Sequence, residues 1–256
     1  MTRKRAVITG ASSGIGLELA RELSRRGYDL ALLARRAEVL EGIARELSVN
    51  GARAVAIACD VVEAAAVRDA VGRGEQELGG TFDLAVANAG VSIPNHASKF
   101  NIADAEQVIR VNVLGVMYLY GAVIPGMIER KQGRFVGVAS VAGLRGLPTS
   151  GPYSASKAAV QAFLEAARVE LAPYHVGVTV VNPGFVVTEM TAKNKFRMPF
   201  LMKADRAARI IADGIEGGNR VIEFPKRMSL LMRTMRLVPD ALYDRMMIPY
   251  ARRKTQ

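Results

Sequence analysis

One cysteine, Cys59, and two well-separated histidines, His96 and His175, are all the chain offers as soft metal ligands. A lone thiol excludes an internal disulfide and fits a reducing compartment. With no partner nearby in sequence, these three residues form no metal-ligand cluster, so no metal is expected. Long apolar runs are also missing: none approaches the roughly 18 residues that span a bilayer. The basic start Arg3-Lys4-Arg5 is followed only by Ala6-Val7-Ile8 before Thr9-Gly10, too short for an export segment. These absences together give the expectation of a cytoplasmic protein.

Acidic residues are scarce relative to basic ones, and the net charge is +11. The excess is uneven. Residues 225–256 hold eight Lys/Arg against Asp240 and Asp244, which accounts for +6 of it. The charge is therefore mostly a property of the tail. That tail has no interleaved aromatics and no recognised module, so nucleic-acid binding is not expected. Half of the 256 residues are apolar, enough for a sizeable core in one large α/β domain.

Strands and helices alternate along the chain. Short apolar strands are predicted at Arg5–Thr9, Tyr28–Ala34, Ala54–Ala58, Phe82–Ala87, Arg134–Ala139, Val176–Val181 and Arg220–Phe224. Helical patterns lie between them at Ala37–Leu47, Val61–Leu78, Tyr153–Ala172 and Ala204–Glu216. The segment Asp104–Arg130 also reads as helix, interrupted around Pro125-Gly126. Such alternation implies a parallel sheet of about seven strands covered on both faces, a single doubly wound Rossmann-type domain. Residues 1–225 are assigned to it, and 226–256 to a basic, Met-rich helical extension.

The first strand leads into Thr9-Gly10-Ala11-Ser12-Ser13-Gly14-Ile15-Gly16. A turn of this kind lets the backbone approach a pyrophosphate at the positive end of the next helix, with Ser12 and Ser13 as hydroxyl donors. The second strand ends at Ala34-Arg35-Arg36, where an NAD site usually carries an acid for the ribose 2′-hydroxyl. Arg35 is suited instead to a 2′-phosphate, which favours NADP over NAD, while Arg36 is read as the solvated start of a helix.

Tyr153 and Lys157 are four apart, hence on one helix face, with Ser140 upstream. A phenol titrates at about 10 in water, and a nearby ammonium favours its phenolate form. Ser140 can then polarise a carbonyl that Tyr153 protonates; Ser154 competes for the hydroxyl role, and the spacing favours Ser140.

Together with Asp60-Val61, Asn88-Ala89-Gly90, Asn112, Pro183-Gly184 and Thr188, these residues resemble the short-chain dehydrogenase/reductase family from about Arg5 to Thr188. The resemblance implies an enzyme with Tyr153 as acid/base and Lys157 lowering its pKa and binding the nicotinamide ribose. Ser140 would hold the substrate oxygen, and Asn112 would anchor a proton-relay water. It further implies that Asp60 and Val61 meet the adenine and that Asn88, Ala89 and Gly90 line the ribose. Pro183, Gly184 and Thr188 would meet the carboxamide or pyrophosphate. Other readings stand beside these: Asn112 as a satisfied core amide, and Asp60 or Thr188 as helix caps. Ala87 departs from the family, which often has a second Asn there.

Residues 185–203 correspond to a substrate lid. Met190, Phe196, Met198, Phe200, Leu201 and Met202 suggest an apolar carbonyl or alcohol substrate, and Lys193, Lys195 and Arg197 an anionic end or plain solvated charges. In the tail, Met228, Leu231, Met232 and Met235 share a helical stripe that fits an anionic membrane surface, the chain's own domain or a second subunit. The family usually forms homodimers or homotetramers. An NADP sensor of the same fold is the alternative to an enzyme, but it would not need the complete Ser140, Tyr153, Lys157 and Asn112 set.

Overall fold

Seven strands, each apolar and rich in Val, Ile, Leu or Ala, form one fully parallel sheet. The computed structural model describes residues 3–49, 51–192, 194 and 197–252. The strands are β1 Lys4–Thr9, β2 Tyr28–Ala34, β3 Ala54–Ala58, β4 Leu84–Ala87, β5 Gly133–Val138, β6 Val176–Pro183 and β7 Val221–Phe224. Between and after them run α1 Gly14–Arg25, α2 Ala37–Val49, α3 Ala64–Leu78, α4 Ile102–Ile109 and α5 Gly115–Glu129. These are followed by α6 Gly151–Leu171, α7 Glu189–Ala192, α8 Ala204–Glu216, α9 Lys226–Leu237 and α10 Asp240–Arg252. The strand order is β3-β2-β1-β4-β5-β6-β7, so the winding reverses between β1 and β4. That reversal opens a crevice at the carboxyl ends of the strands, the place where such sheets bind ligands.

Period-two alternation splits the core into two layers. Ala6, Ile8, Leu30 and Leu32 face α1, α2 and α8, meeting Leu19, Leu23, Leu40, Ile43 and Ile211. Val7, Ala31 and Leu33 point the other way, toward Val67, Val116, Leu119, Val160 and Leu164 of α3, α5 and α6.

Three expectations change. The long helical segment is not broken at Pro125, which lies inside α5; the irregular turn is a π-helix at Arg110–Leu114. Pro125 is exposed, and the space beside Gly121, four residues earlier, is open. Water can therefore take the carbonyl that a proline leaves unbonded. The segment Ile102–Glu129 also has the length and mean hydropathy, 1.7 over its most apolar window, of a membrane-crossing helix. It is nonetheless a core helix: Val116, Leu119 and Val123 are buried against the sheet. Counting uninterrupted apolar runs missed it because glycine, tyrosine and Asn112 punctuate the run without making it polar. Finally, the tail stripe is split. Met228 and Met232 pack on Val141, with Leu144, Leu147 and Phe185 around them, whereas Leu231 is 47 % exposed.

Candidate active site

The glycine turn owes its shape to residues without a side chain. Gly10 and Gly14 have φ of +67° and +57°, the left-handed region that suits glycine. At Gly16 a Cβ would stand 2.3 Å from the Gly10 carbonyl oxygen, so the start of α1 and the turn touch backbone to backbone. Ile15 between them packs on the core. Ser13 caps α1 without a side-chain hydrogen bond, and the first turn of α1 carries no acid. Its leading N–H groups are thus available to an anion.

The end of β4 is stitched to this turn. The backbone N–H groups of Asn88 and Ala89 each donate to Thr9 Oγ1 at 3.1 Å, and Asn88 Nδ2 donates to the carbonyls of Thr9 (3.0 Å) and Gly10 (3.2 Å). The Asn88 amide therefore shapes the turn from behind. Thr188 stands over it, since a Cβ on Gly14 would come within 3.0 Å of Thr188 Cγ2. Thr188 also caps α7, its Oγ1 accepting from Thr191 N at 3.3 Å.

Arg36 stands exposed at the start of α2, as expected, its carbonyl accepting from Leu40 N, but its side chain does more. Its guanidinium donates to Ser12 Oγ at 3.0 Å and pairs with Glu189 of α7 at 3.4 Å, because the end of β2 lies beside the turn. Arg35 and Asp60 line a cavity of roughly 210 Å³ next to it, walled by Val62 and Gln107. Asp60 does not cap α3, which starts at Ala64 with Glu63 as its cap; Asp60 Oδ1 instead accepts from Val62 N at 3.2 Å. Val61 is buried against Gly115. A narrow glycine cradle, an open helix N-terminus and a cavity edged by an acid and arginines fit a dinucleotide laid across the β1/β4 crevice.

Beyond the crevice, β5 delivers Ser140, and α6 delivers Tyr153 from its first turn and Lys157 from the next. Ser140 Oγ donates to the Pro183 carbonyl at 3.2 Å and accepts from Ala142 N at 3.1 Å. Gly184 N in turn donates to Phe224 O at 2.7 Å, which anchors the Pro183-Gly184 corner to β7. Lys157 is buried, and its Nζ donates to the Val138 carbonyl at 2.8 Å. Asn112, fully buried in the π turn, has a satisfied amide. Its Oδ1 accepts from Val91 N (2.8 Å), and its Nδ2 donates to Val91 O (2.9 Å) and Ser156 Oγ (3.0 Å). Gly90 lies between the two: a Cβ there would be 3.3 Å from Asn112 Oδ1 and 3.5 Å from Lys157 Nζ. Ser154 is separate from this group, its Oγ accepting from Leu147 N at 3.3 Å.

Burial pushes the Tyr153 phenol above its ordinary range, and a hydrogen bond with Ser140 pulls the other way. This is opposite in direction to the lowering expected from Lys157. The ammonium lies 5.8 Å from the ring centroid and spends a hydrogen bond on Val138, so desolvation dominates. Desolvation also lowers Lys157 to about 8. Cys59, buried beside Asp60, is pushed up to about 11 and is no nucleophile.

Two residues of the site escape local sequence reading. Gln161 Nε2 donates to the Ser140 carbonyl (2.8 Å) and to Asn182 Oδ1 (2.9 Å), and Asn182 Nδ2 donates to Glu223 (3.1 Å). Gln161 sits one turn beyond Lys157, the only signal the sequence carried. In the lid, Met202 is not a pocket residue: it is buried in the main core with Val186, to which a β-bridge joins it. Met190, Phe200 and Leu201 are exposed. Lys193, Lys195 and Phe196 lie outside the described residues, as do Arg253 and Lys254 of the tail.

Comparison with known proteins agrees with this fold. The profile of the short chain dehydrogenase family matches residues 4–198. An "uncharacterized oxidoreductase" of Myxococcus xanthus is 39 % identical over 244 residues, 95 % of this chain and 96 % of that one. Among solved structures, a short-chain dehydrogenase/reductase from Burkholderia phymatum in complex with NAD superposes with a TM-score of 0.84 at 25 % identity, covering 90 % of this chain and 92 % of its own. A short-chain dehydrogenase from Sphingobium yanoikuyae in complex with NADPH gives 0.80 at 27 %, with coverages of 87 % and 88 %.

Proposed function

The chain belongs to the short-chain dehydrogenase/reductase family, oxidoreductases with a nicotinamide cofactor, and from that premise we propose an NADP-dependent enzyme acting on the carbonyl or hydroxyl of an apolar substrate. The observation that carries this reading is a chain of neighbours: Asn112 and Lys157 meet beside Gly90, the Lys157 ammonium lies 5.8 Å from the Tyr153 ring, and Tyr153 is hydrogen-bonded to Ser140.

Gly10, Gly14, Gly16 and the N-terminus of α1 would hold the pyrophosphate, with Asp60 toward the adenine. Arg35, and Arg36 with Ser12, would meet a 2′-phosphate, since the end of β2 supplies two cations and no acid. Bound there, the nicotinamide supplies or accepts the hydride. In the reducing direction Tyr153 Oη gives its proton to the substrate oxygen while the Ser140 hydroxyl, turned from the Pro183 carbonyl, donates its one hydrogen bond to the same atom. A phenol held protonated by burial is in the form needed to act as this acid. Lys157 stands behind it as the cation that favours phenolate once the proton has left. Asn112 holds the Val91 backbone and Ser156, and so fixes the wall on which Lys157 rests. Val141, Leu144, Leu147 and Phe185, backed by Met228 and Met232, give the substrate side an apolar wall that favours a hydrocarbon body.

A panel of aldehydes, ketones and acyl thioesters, followed by NADPH absorbance and repeated with NADH, tests the proposal. Turnover with NADPH on the more apolar members is expected. A preference for NADH would overturn the arginine argument.

A further inference from the structure

We propose that the outer faces of α9 and α10 form a docking surface for an anionic phospholipid bilayer. Their inner faces are committed to the domain. Met228 and Met232 pack on Val141. Tyr243 donates its hydroxyl to the Gly146 carbonyl, and Arg145 lies over its ring at 4.3 Å while bonding Asp240 at 2.7 Å. Both helices therefore rest on the same loop, residues 141–147, and turn their opposite sides outward.

The side of α9 away from Met232 exposes Leu230 (65 %) and Leu237 (82 %), two helical turns apart, with Lys226 and Arg233 beside them; Leu242, Met246 and Ile248 on the flanks of α10 are each about half exposed. An exposed aliphatic group of this size on a small domain marks a contact surface. Cations surround it. Arg233 is taken by Glu223, but Lys226, Arg227, Arg236 and Arg245 make no ion pair among the described residues. An open depression of roughly 340 Å³ beside β7 adds Lys226, Leu230 and Arg233 to one rim.

Charge decides the partner. A second copy would set one basic face against another, which repels. A nucleic acid would satisfy the cations and leave the leucines in water. An anionic bilayer takes both: the aliphatic side chains enter the acyl boundary while Lys and Arg reach the headgroups. The Met-rich stripe, by contrast, is spent on the protein itself.

Sedimentation of the full-length protein with vesicles tests this without any substrate. Binding is expected to phosphatidylcholine vesicles containing phosphatidylglycerol, to be weak on phosphatidylcholine alone, and to fall as salt rises. Each removed cation should lower partitioning about fivefold, so Arg227→Ala with Arg236→Ala should lower it about 25-fold. Leu230→Ser with Leu237→Ser should also abolish binding, with an unchanged melting temperature because both residues are exposed. Three results would overturn the proposal: no binding to anionic vesicles at low salt, binding indifferent to both pairs, or self-association in place of vesicle binding.

Discussion

Lys157 places an ammonium in the interior with a single carbonyl for company, and that choice has a cost. Its pKa falls from 10.5 to about 8. Between those values the unfolded chain binds more protons than the folded one, so stability rises with pH across that window. Below about 8 the full penalty is present, on the order of 3 kcal/mol. Lys157→Met should therefore melt several degrees above the parent at pH 7, with the gap closing as pH climbs from about 8 toward 10.5. Equal melting at pH 7 would show that the Val138 hydrogen bond offsets the burial. Arg36 poses the opposite case, an exposed cation placed by a neighbour. If it and Arg35 read a 2′-phosphate, replacing both with Ala should raise KM for NADPH by about 10- to 100-fold, from loss of charge-assisted hydrogen bonds. KM for NADH should barely move, and equal losses with both cofactors would refute the assignment.

At the scale of elements, the site is held by contacts between segments far apart in the chain. Gln161 joins α6 to the Ser140 carbonyl and to Asn182 of β6, and Asn182 continues to Glu223 of β7, which holds Arg233 of α9. Gln161→Leu leaves the buried Asn182 Oδ1 unpaired and strips the Ser140 carbonyl of one of its two donors, the other being Gly143 N, at a cost of about 1–3 kcal/mol. It should lower kcat more than it raises the KM for NADPH, because Ser140 shifts while the glycine turn does not. Matching changes in both parameters would reduce Gln161 to a stabilising role. The same distinction explains what was legible in advance. The Tyr153–Lys157 pair follows from chemistry plus helix spacing, its assignment with Ser140 from the resemblance to the family, and Gly10, Gly14 and Gly16 from the needs of a tight turn. Gln161, Asn182 and the grip of Arg36 on Ser12 depend on which strands become neighbours, so local pattern did not reveal them. The π turn around Asn112 was hidden in the same way: Pro125 looked like the break, yet an exposed proline is tolerated where water can serve the freed carbonyl.

Across the whole molecule, the architecture was the most legible part. β2, β3 and α8 match the expected bounds residue for residue, since apolar strands flanked by glycine or charge leave little choice. Strand order was not spelled out by any one segment: the chain winds outward from β1 to β3 on one side and from β4 to β7 on the other. The same winding sets the glycine turn beside the end of β4 and, on the proposed reading, brings the cofactor cradle toward Tyr153. The tail packs Met228 and Met232 on Val141, beside Leu144, Leu147 and Phe185, so on the proposed reading α9 backs the substrate side.

The most direct test of the central claim is turnover by Tyr153→Phe, measured beside its NADPH affinity. With the proton donor removed and the ring retained, kcat should fall by about 100-fold or more while NADPH binding stays near that of the parent. A Tyr153→Phe enzyme that turns over as fast as the parent would contradict the account.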